Sequence, residues 1–104
     1  MRLAGQEIGP DRPLFLIAGP CVVEDAALTE DIAGALAEMT SSLGIPFVFK
    51  ASFDKANRTS GDSFRGPGVD EALAILADVR KLGLPVNTDV HESAQVPRVA
   101  EVVD

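Results

Sequence analysis

Segment 50–68 gathers side chains that could bind an anion. It contains Lys50, Lys55, Arg58 and Arg65, four of the nine Lys and Arg residues, but two of the sixteen Asp and Glu residues. The whole chain carries a net charge of −7, so this excess of cations is local. Hydroxyl and amide side chains add neutral donors, and glycines let the backbone approach a ligand closely. The segment predicts an anion site, and a solvated loop with scattered ion pairs is the alternative.

The segment follows a predicted strand and precedes a predicted helix. Continuous apolar runs are typical of parallel strands that are covered on both faces. Alternating strands and helices predict an α/β fold with a parallel sheet and right-handed crossovers. The pattern predicts strands at 14–18, 46–51 and 84–88 and helices at 27–43, 69–82 and 93–100, with an irregular or short-hairpin start at 1–13 and a fourth strand beginning at 102–104.

Helical spacing predicts the buried faces of the first two helices. Asp25 or Thr29 is a suitable N-cap for the first helix, and Gly44 is a suitable C-terminal cap. Acidic residues in the first turn of the second helix and basic residues in its last turn suit the helix dipole. The predicted buried stripes are Leu28, Ile32, Ala35, Leu36, Met39 and Leu43 in the first helix and Ala72, Leu73, Ile75, Leu76 and Val79 in the second.

Other reactive side chains follow the first and third strands. Ligands of parallel sheets bind beyond the carboxyl ends of the strands. We call this edge of the sheet the rim, and we expect Cys21 and Asp89 to lie on the same rim as Lys50. A lone cysteine there could be a small buried residue, a nucleophile or a metal ligand. Asp89, His91 and Glu92 could form a local metal site with Cys21. The alternative makes His91 a structural residue and Glu92 a cap for the third helix.

Three stretches resemble the 3-deoxy-D-manno-octulosonate 8-phosphate synthases, which condense phosphoenolpyruvate with D-arabinose 5-phosphate. The resemblance runs from about residue 14 to the last residue. The related 3-deoxy-7-phosphoheptulonate synthases of the aromatic pathway use erythrose 4-phosphate and share the Gly-Pro-Cys segment. They carry a Lys-Pro-Arg-Thr-Ser type of loop where this chain has Lys-Ala-Asn-Arg, which favours the eight-carbon sugar. The matching stretches are Phe-Lys-Ala-Ser-Phe-Asp-Lys-Ala-Asn-Arg at 49–58 with Ser-Phe-Arg-Gly-Pro-Gly at 63–68, Ile-Ala-Gly-Pro-Cys at 17–21 and Thr-Asp-Val-His-Glu at 88–92.

The resemblance implies a (β/α)8 TIM barrel with its active site at the carboxyl ends of the strands. A complete barrel takes about 250 residues, so the 104 residues correspond to the first three βα units of a truncated barrel. We expect residues 1–104 alone to be inactive, and to be poorly folded, aggregated or reliant on a partner. A non-catalytic remnant that only binds anions is a further interpretation, from a different functional class.

The resemblance also implies the roles of individual residues. Thr59 stands where the family commonly has Ser, and it keeps the hydroxyl. Asp89 would point into the site near the sugar phosphate or order Lys55. Arg65, judged from its residue type alone, could face a ligand or pin the loop, and the structural interpretation is favoured. The implied catalytic residues are Lys55, Asn57 and Asp89; the implied substrate-binding residues are Lys50, Ser52 and Lys55 for phosphoenolpyruvate and Asn57, Arg58 and Thr59 for the sugar phosphate.

Cys21 matches the metal-dependent branch of the resembled family, in which the other ligands come from later strands. The resemblance implies a divalent metal in the full-length enzyme and a homo-oligomer, a tetramer. One thiolate cannot hold a divalent ion tightly, so residues 1–104 alone are not expected to retain metal.

Composition argues against several other classes of function. The negative net charge argues against nucleic-acid binding and against an anionic membrane surface. The chain has no apolar run long enough to cross a bilayer and no charged-then-apolar leader. One cysteine cannot form an internal disulfide, which agrees with a reducing compartment. A cytoplasmic enzyme is the expectation.

Overall fold

The computed structural model describes residues 1–54 and 68–104, which form a parallel sheet with helices and a short antiparallel hairpin. The parallel strands confirm the predicted α/β class. In chain order the elements are β1 (Arg2–Leu3), β2 (Gln6–Glu7), β3 (Leu16–Ala18), α1 (Ala26–Leu43), β4 (Phe47–Lys50), α2 (Val69–Lys81), β5 (Val86–Asn87), a 3-10 turn (Ser93–Gln95) and α3 (Val96–Val99).

Strand β4 is the centre of the three-stranded sheet. The strand order is β3-β4-β5, and both pairings are parallel. Ala18 lies opposite Phe49, and Phe49 lies opposite Val86. Phe49 is completely buried, as expected for a central strand that is covered on both faces. The carboxyl ends of all three strands therefore meet at one edge of the sheet.

Helix α1 buries only part of the predicted face. Asp25 caps its start by accepting a hydrogen bond from the Leu28 amide, at 2.8 Å, and Gly44 ends it in the left-handed conformation, with φ of 68°. Four of the six residues predicted to be buried are exposed: Leu28, Ala35, Met39 and Leu43. The fully buried positions are Thr29, Ala33 and Thr40, and Ile32, Leu36 and Ala37 pack partly against the core.

Helix α2 buries the predicted stripe. Acidic residues occupy its first turn and basic residues its last turn, as predicted. Gly83 follows the helix with φ of 91°, a conformation that favours glycine. All five predicted stripe residues are buried: Ala72, Leu73, Ile75, Leu76 and Val79.

The end of the chain differs from the sequence prediction in two places. The expected helix at 93–100 is a 3-10 turn followed by one α-helical turn. Pro97 has no amide hydrogen for the Ser93 carbonyl, so one bond of a continuous helix is missing. The expected fourth strand at 102–104 is a turn followed by coil. The Asp104 amide nevertheless donates to the Val86 carbonyl at 2.9 Å.

The β1–β2 hairpin lies near one face of the sheet. Leu3, Ile17 and Val48 help to line a cavity of about 150 Å³ there. Ile17 keeps 43% of its surface exposed, and Leu14, just before β3, keeps 79%. In the part of the chain that the structure describes, this face and the β3 edge are incompletely covered. No helix among these residues combines the length and apolar character that a membrane span requires.

Candidate active site

Lys50, Ser52 and Asp89 form the centre of the candidate site, where two neighbouring strands end. The Lys50 ammonium lies 3.4 Å from Asp89 Oδ1 and 3.5 Å from Ser52 Oγ. The Ser52 hydroxyl donates a short hydrogen bond to the same Asp89 oxygen. Ser52 is completely buried, whereas Lys50 and Asp89 each expose about a third or more of their side chains. The arrangement presents a cation that is oriented by a carboxylate and remains accessible to a ligand.

The loop after β3 fixes the backbone beneath Ser52. Val22 and Ser52 form a parallel bridge, the Val23 amide donates to the Ser52 carbonyl at 2.9 Å, and the Ser52 amide donates to the Cys21 carbonyl at 3.4 Å. Gly19 makes this approach possible, because a Cβ atom at that position would collide with the Lys50 carbonyl oxygen. The glycine of the Gly-Pro-Cys segment thus lets the two strand ends approach closely.

The loop after β5 supplies the other side of the site. The Thr88 hydroxyl donates to the Ala51 carbonyl at 2.8 Å, which joins this loop to the end of β4. His91 Nε2 lies 2.6 Å from the Asp54 carbonyl oxygen and 3.4 Å from Asp89 Oδ2. Asp89 is therefore in contact with Lys50 and Ser52 through one oxygen and near His91 through the other.

The electrostatic balance keeps Asp89 ionised. Partial burial acts to raise the pKa of its carboxyl group. The Ser52 hydrogen bond and the positive charge of Lys50 act in the opposite direction and prevail, so the pKa of Asp89 falls below its ordinary value of 3.8. Near neutral pH the carboxylate is an acceptor for Lys50 and Ser52, not a donor.

The structure tests the predicted site only in part. It brings together Lys50, Ser52 and Asp89, as the common rim predicts, and joins Cys21 to Ser52 through the backbone. Five residues with predicted roles lie outside the described residues, so those roles stay predictions. They are Lys55, Asn57, Arg58, Thr59 and Arg65.

The described residues do not by themselves fit a resident metal. Cys21 is exposed, and no group of three or more Cys, His, Asp or Glu side chains within 1–54 and 68–104 is placed to hold an ion. The possible local site of Cys21 with Asp89, His91 and Glu92 is therefore not formed among the described residues. Glu92 instead precedes the 3-10 turn as its N-cap, where its amide donates to Gln95 Oε1 at 3.2 Å.

Two contacts of the site were not predicted from the sequence. They are the hydrogen bond from the Ser52 hydroxyl to Asp89 and the contact of His91 Nε2 with the Asp54 carbonyl. Strand order alone predicted that these residues share a rim. Strand order could not predict which side chains contact each other, because these contacts depend on which side chains turn toward the neighbouring loop.

Comparisons with known proteins extend over the whole chain. The model of the DAHP synthetase I family matches residues 3–104. A protein of Polaromonas naphthalenivorans is 63% identical over 105 residues, one of Variovorax paradoxus 64% and one of Stenotrophomonas maltophilia 61%. Each is named 2-dehydro-3-deoxyphosphooctonate aldolase, and each match covers 100% of this chain. The chain spans 37–38% of the length of these relatives.

Proposed function

The chain belongs to the DAHP synthetase I family, and we propose that the full-length protein condenses phosphoenolpyruvate with D-arabinose 5-phosphate. The products are 3-deoxy-D-manno-octulosonate 8-phosphate and inorganic phosphate, within the synthesis of a lipopolysaccharide sugar. The observation that carries the proposal is the identity of 60–64% over the whole chain to proteins named 2-dehydro-3-deoxyphosphooctonate aldolase.

The reaction needs fixed cations, because both substrates are anionic. Carbon 3 of phosphoenolpyruvate forms a bond to the aldehyde carbon of the sugar phosphate, and the aldehyde oxygen gains a proton. Water adds at carbon 2, and phosphate leaves with cleavage of its carbon–oxygen bond. Negative charge develops on the aldehyde oxygen as the new carbon–carbon bond forms, so positioned donors and cations lower the barrier.

The described geometry suits the phosphoenolpyruvate side of this reaction. Lys50 stays partly exposed at the rim, and Asp89 and Ser52 orient its ammonium group. In the proposed function Lys50 and Ser52 bind phosphoenolpyruvate together with Lys55, while Asn57, Arg58 and Thr59 bind the sugar phosphate. The assignments at Ser52 and at 55–59 rest on the motif, and the assignment at Lys50 is also supported by its partial exposure and its contact with Asp89.

The proposal extends to the rest of the protein. We place the chain in the first three units of a (β/α)8 barrel, a placement that its parallel sheet and flanking helices support. Cys21 would give one thiolate ligand to a divalent metal, whose other ligands would come from later units. That metal would act as a Lewis acid at the site. We also propose a cytoplasmic homo-oligomer, a tetramer.

The test is an assay of the full-length gene product with phosphoenolpyruvate and either D-arabinose 5-phosphate or erythrose 4-phosphate. We expect kcat/KM to favour the five-carbon sugar by about 100-fold or more, since a site that hydrogen-bonds a substrate hydroxyl rejects an analogue without it. Lys50→Met should lower kcat/KM about 10- to 100-fold, the value of a charge-assisted contact. Lys81→Met, an exposed lysine that pairs with Asp78 at the end of α2, should leave it unchanged.

Family membership does not separate the two sugar synthases, because the family name corresponds to the seven-carbon alternative. The names of the relatives favour the eight-carbon product. Preference for erythrose 4-phosphate would establish 3-deoxy-7-phosphoheptulonate synthase instead. Turnover of neither sugar by the folded full-length product would favour the non-catalytic remnant.

A further inference from the structure

His91 contacts the site but has no role in the proposed chemistry. Its Nε2 atom lies between two oxygen atoms, the Asp54 carbonyl at 2.6 Å and Asp89 Oδ2 at 3.4 Å. Asp54 belongs to the loop after β4, and Asp89 belongs to the loop after β5. The imidazole therefore lies between the two loops that form the candidate site.

The two neighbouring oxygens determine which tautomer fits. A carbonyl oxygen accepts hydrogen bonds, and so does the ionised carboxylate of Asp89. Nε2 must therefore carry the proton, with the Asp54 carbonyl as its closer acceptor. This assignment follows from the hydrogen-bond network around the ring.

Contacts on several sides fix the imidazole. The His91 amide donates to Gln95 Oε1 at 3.2 Å, so the side chain that accepts from Glu92 also holds the His91 backbone. The ring meets the edge of Phe53, with 5.8 Å between ring centroids and an interplanar angle of 62°. Phe53 is almost completely buried, and the His91 side chain is 21% exposed. Such a ring keeps a constant orientation.

We propose that His91 is a positioning residue for the condensation: its Nε2–H donates to the Asp54 carbonyl and so holds the imidazole beside Asp89 Oδ2, which limits where the carboxylate that orients Lys50 can lie. The proposal rests on the proposed function, since Lys50 is the group that would meet substrate. His91 itself would not touch substrate. Its contribution is the alignment of the loops after β4 and β5. Among the described residues, the last backbone hydrogen bond between these two segments runs from the Ala51 amide to the Asn87 carbonyl, at 3.4 Å.

Two substitutions of His91 distinguish the effect of the Nε2–H donor from the effect of the aromatic ring. His91→Phe keeps an aromatic ring against Phe53 and removes the donor. His91→Gln replaces the ring, and its terminal amide can donate from nearly the same place as Nε2. In the full-length gene product we expect His91→Phe to lower kcat by about 10- to 100-fold, because small misplacements of reacting groups cost rates of that order. The KM for phosphoenolpyruvate should change less than about threefold, because the charge of Lys50 remains.

Rescue distinguishes positioning from simple packing. We expect His91→Gln to regain most of the lost kcat, although it disturbs the packing against Phe53 more than His91→Phe does. The melting temperatures of the two variants should therefore not follow their kcat values. Wild-type kcat in His91→Phe would overturn the proposal. The proposal would also be overturned if His91→Gln lost as much kcat as His91→Phe, or if the loss of kcat in each variant followed its loss of melting temperature.

A spectroscopic measurement tests the proposal independently of catalysis. In the full-length product labelled with ¹⁵N-histidine, the signal lost in His91→Gln identifies His91. At about pH 8 we expect the nitrogen shifts of a ring that carries its proton at Nε2 and not at Nδ1. A ring protonated at Nδ1 would overturn the proposal. Failure of the wild type to use either sugar would count against the proposed function alone, and the tautomer would still decide the role of His91.

Discussion

Asp89 has a different partner on each of its two oxygens. Oδ1 accepts from the Ser52 hydroxyl and lies 3.4 Å from the Lys50 ammonium, while Oδ2 faces His91. The carboxylate therefore links residues from two loops, and it orients a lysine that is still accessible from solvent. The effect of Asp89 on a bound ligand would therefore be indirect, through the orientation of Lys50.

The first prediction concerns the charge of Asp89. Its pKa is lower in the folded protein than its ordinary value of 3.8, so ionisation of Asp89 stabilises the fold above that value and this contribution is lost as the pH falls through the lowered pKa. Asp89→Asn should destabilise the full-length product at neutral pH, because the contacts of the carboxylate with Ser52 and Lys50 are weakened. The loss should be about 1 kcal/mol, since partial exposure to solvent keeps such contacts modest in strength. In more acidic solution the difference from wild type should disappear.

Urea unfolding at a series of pH values measures this effect. Asp31→Asn is the matched control, since Asp31 is exposed on α1, and it should change the free energy of unfolding little at neutral pH. A difference between wild type and Asp89→Asn that persists unchanged in acid would contradict the prediction.

At the scale of the residue, sequence reasoning predicted which residues would lie together but not which contacts they would make. Lys50, Ser52 and Asp89 were predicted to share a rim because each follows a parallel strand. The role of His91 as a link between loops was not predicted. A histidine two positions after an aspartate gives no signal of a contact with a carbonyl 37 positions earlier in the chain.

At the scale of the elements, the close approach of two strand ends is a requirement of the site. Gly19 lies against the Lys50 carbonyl, where a side chain has no room. Beyond Gly19 the chain continues to the bridge between Val22 and Ser52. The position of Lys50 therefore depends on a residue that carries no side chain.

The second prediction compares two glycines. Gly19→Ala should destabilise the full-length product by about 1–3 kcal/mol, the usual cost of overpacking, and should also lower activity through Lys50. Gly34→Ala should stabilise it by about 0.5–1 kcal/mol, because Gly34 lies in α1 with open space around it, and alanine is the better helix former. Thermal or urea unfolding of both variants measures the contrast. A Gly19→Ala protein as stable as wild type would show that the strand ends can move apart.

The two helices show why one buried face was predicted and the other was not. In α2 the large apolar residues lie on one side, so spacing alone identifies the core face. In α1 large apolar residues occur on both sides, and the buried face includes threonines. Their hydroxyls donate to the helix itself, from Thr29 to the Asp25 carbonyl at 2.7 Å and from Thr40 to the Leu36 carbonyl at 2.8 Å. A threonine whose hydroxyl is satisfied in this way can be buried at little cost.

At the scale of the whole molecule, apolar surface remains exposed around the part of the sheet that the structure describes. Leu14 and Ile17 are exposed at the β3 edge, and Leu28, Met39 and Leu43 are exposed on α1. Uncovered strand edges and apolar patches promote association. These surfaces suit the contacts that further βα units would make in the proposed barrel.

The third prediction follows from this exposed surface. Residues 1–104 expressed alone should aggregate or unfold without a cooperative transition at micromolar concentration, as measured by size-exclusion chromatography and thermal melting. Ile17→Lys should reduce the aggregation, because a charge on an edge strand opposes strand pairing. Leu82→Lys, at an exposed position after α2, should reduce it less. A soluble monomer with a cooperative melt would contradict the prediction.

Ser52 takes part in two kinds of bond at once. Its backbone bonds to Cys21 and Val23, and its hydroxyl bonds to Asp89, so it touches the loops on both sides of its own. A displacement of one flanking loop is therefore transmitted to the other through Ser52. The two halves of the rim are consequently expected to evolve in concert, and sequence changes in the loop after β3 should constrain those that the loop after β5 can accept.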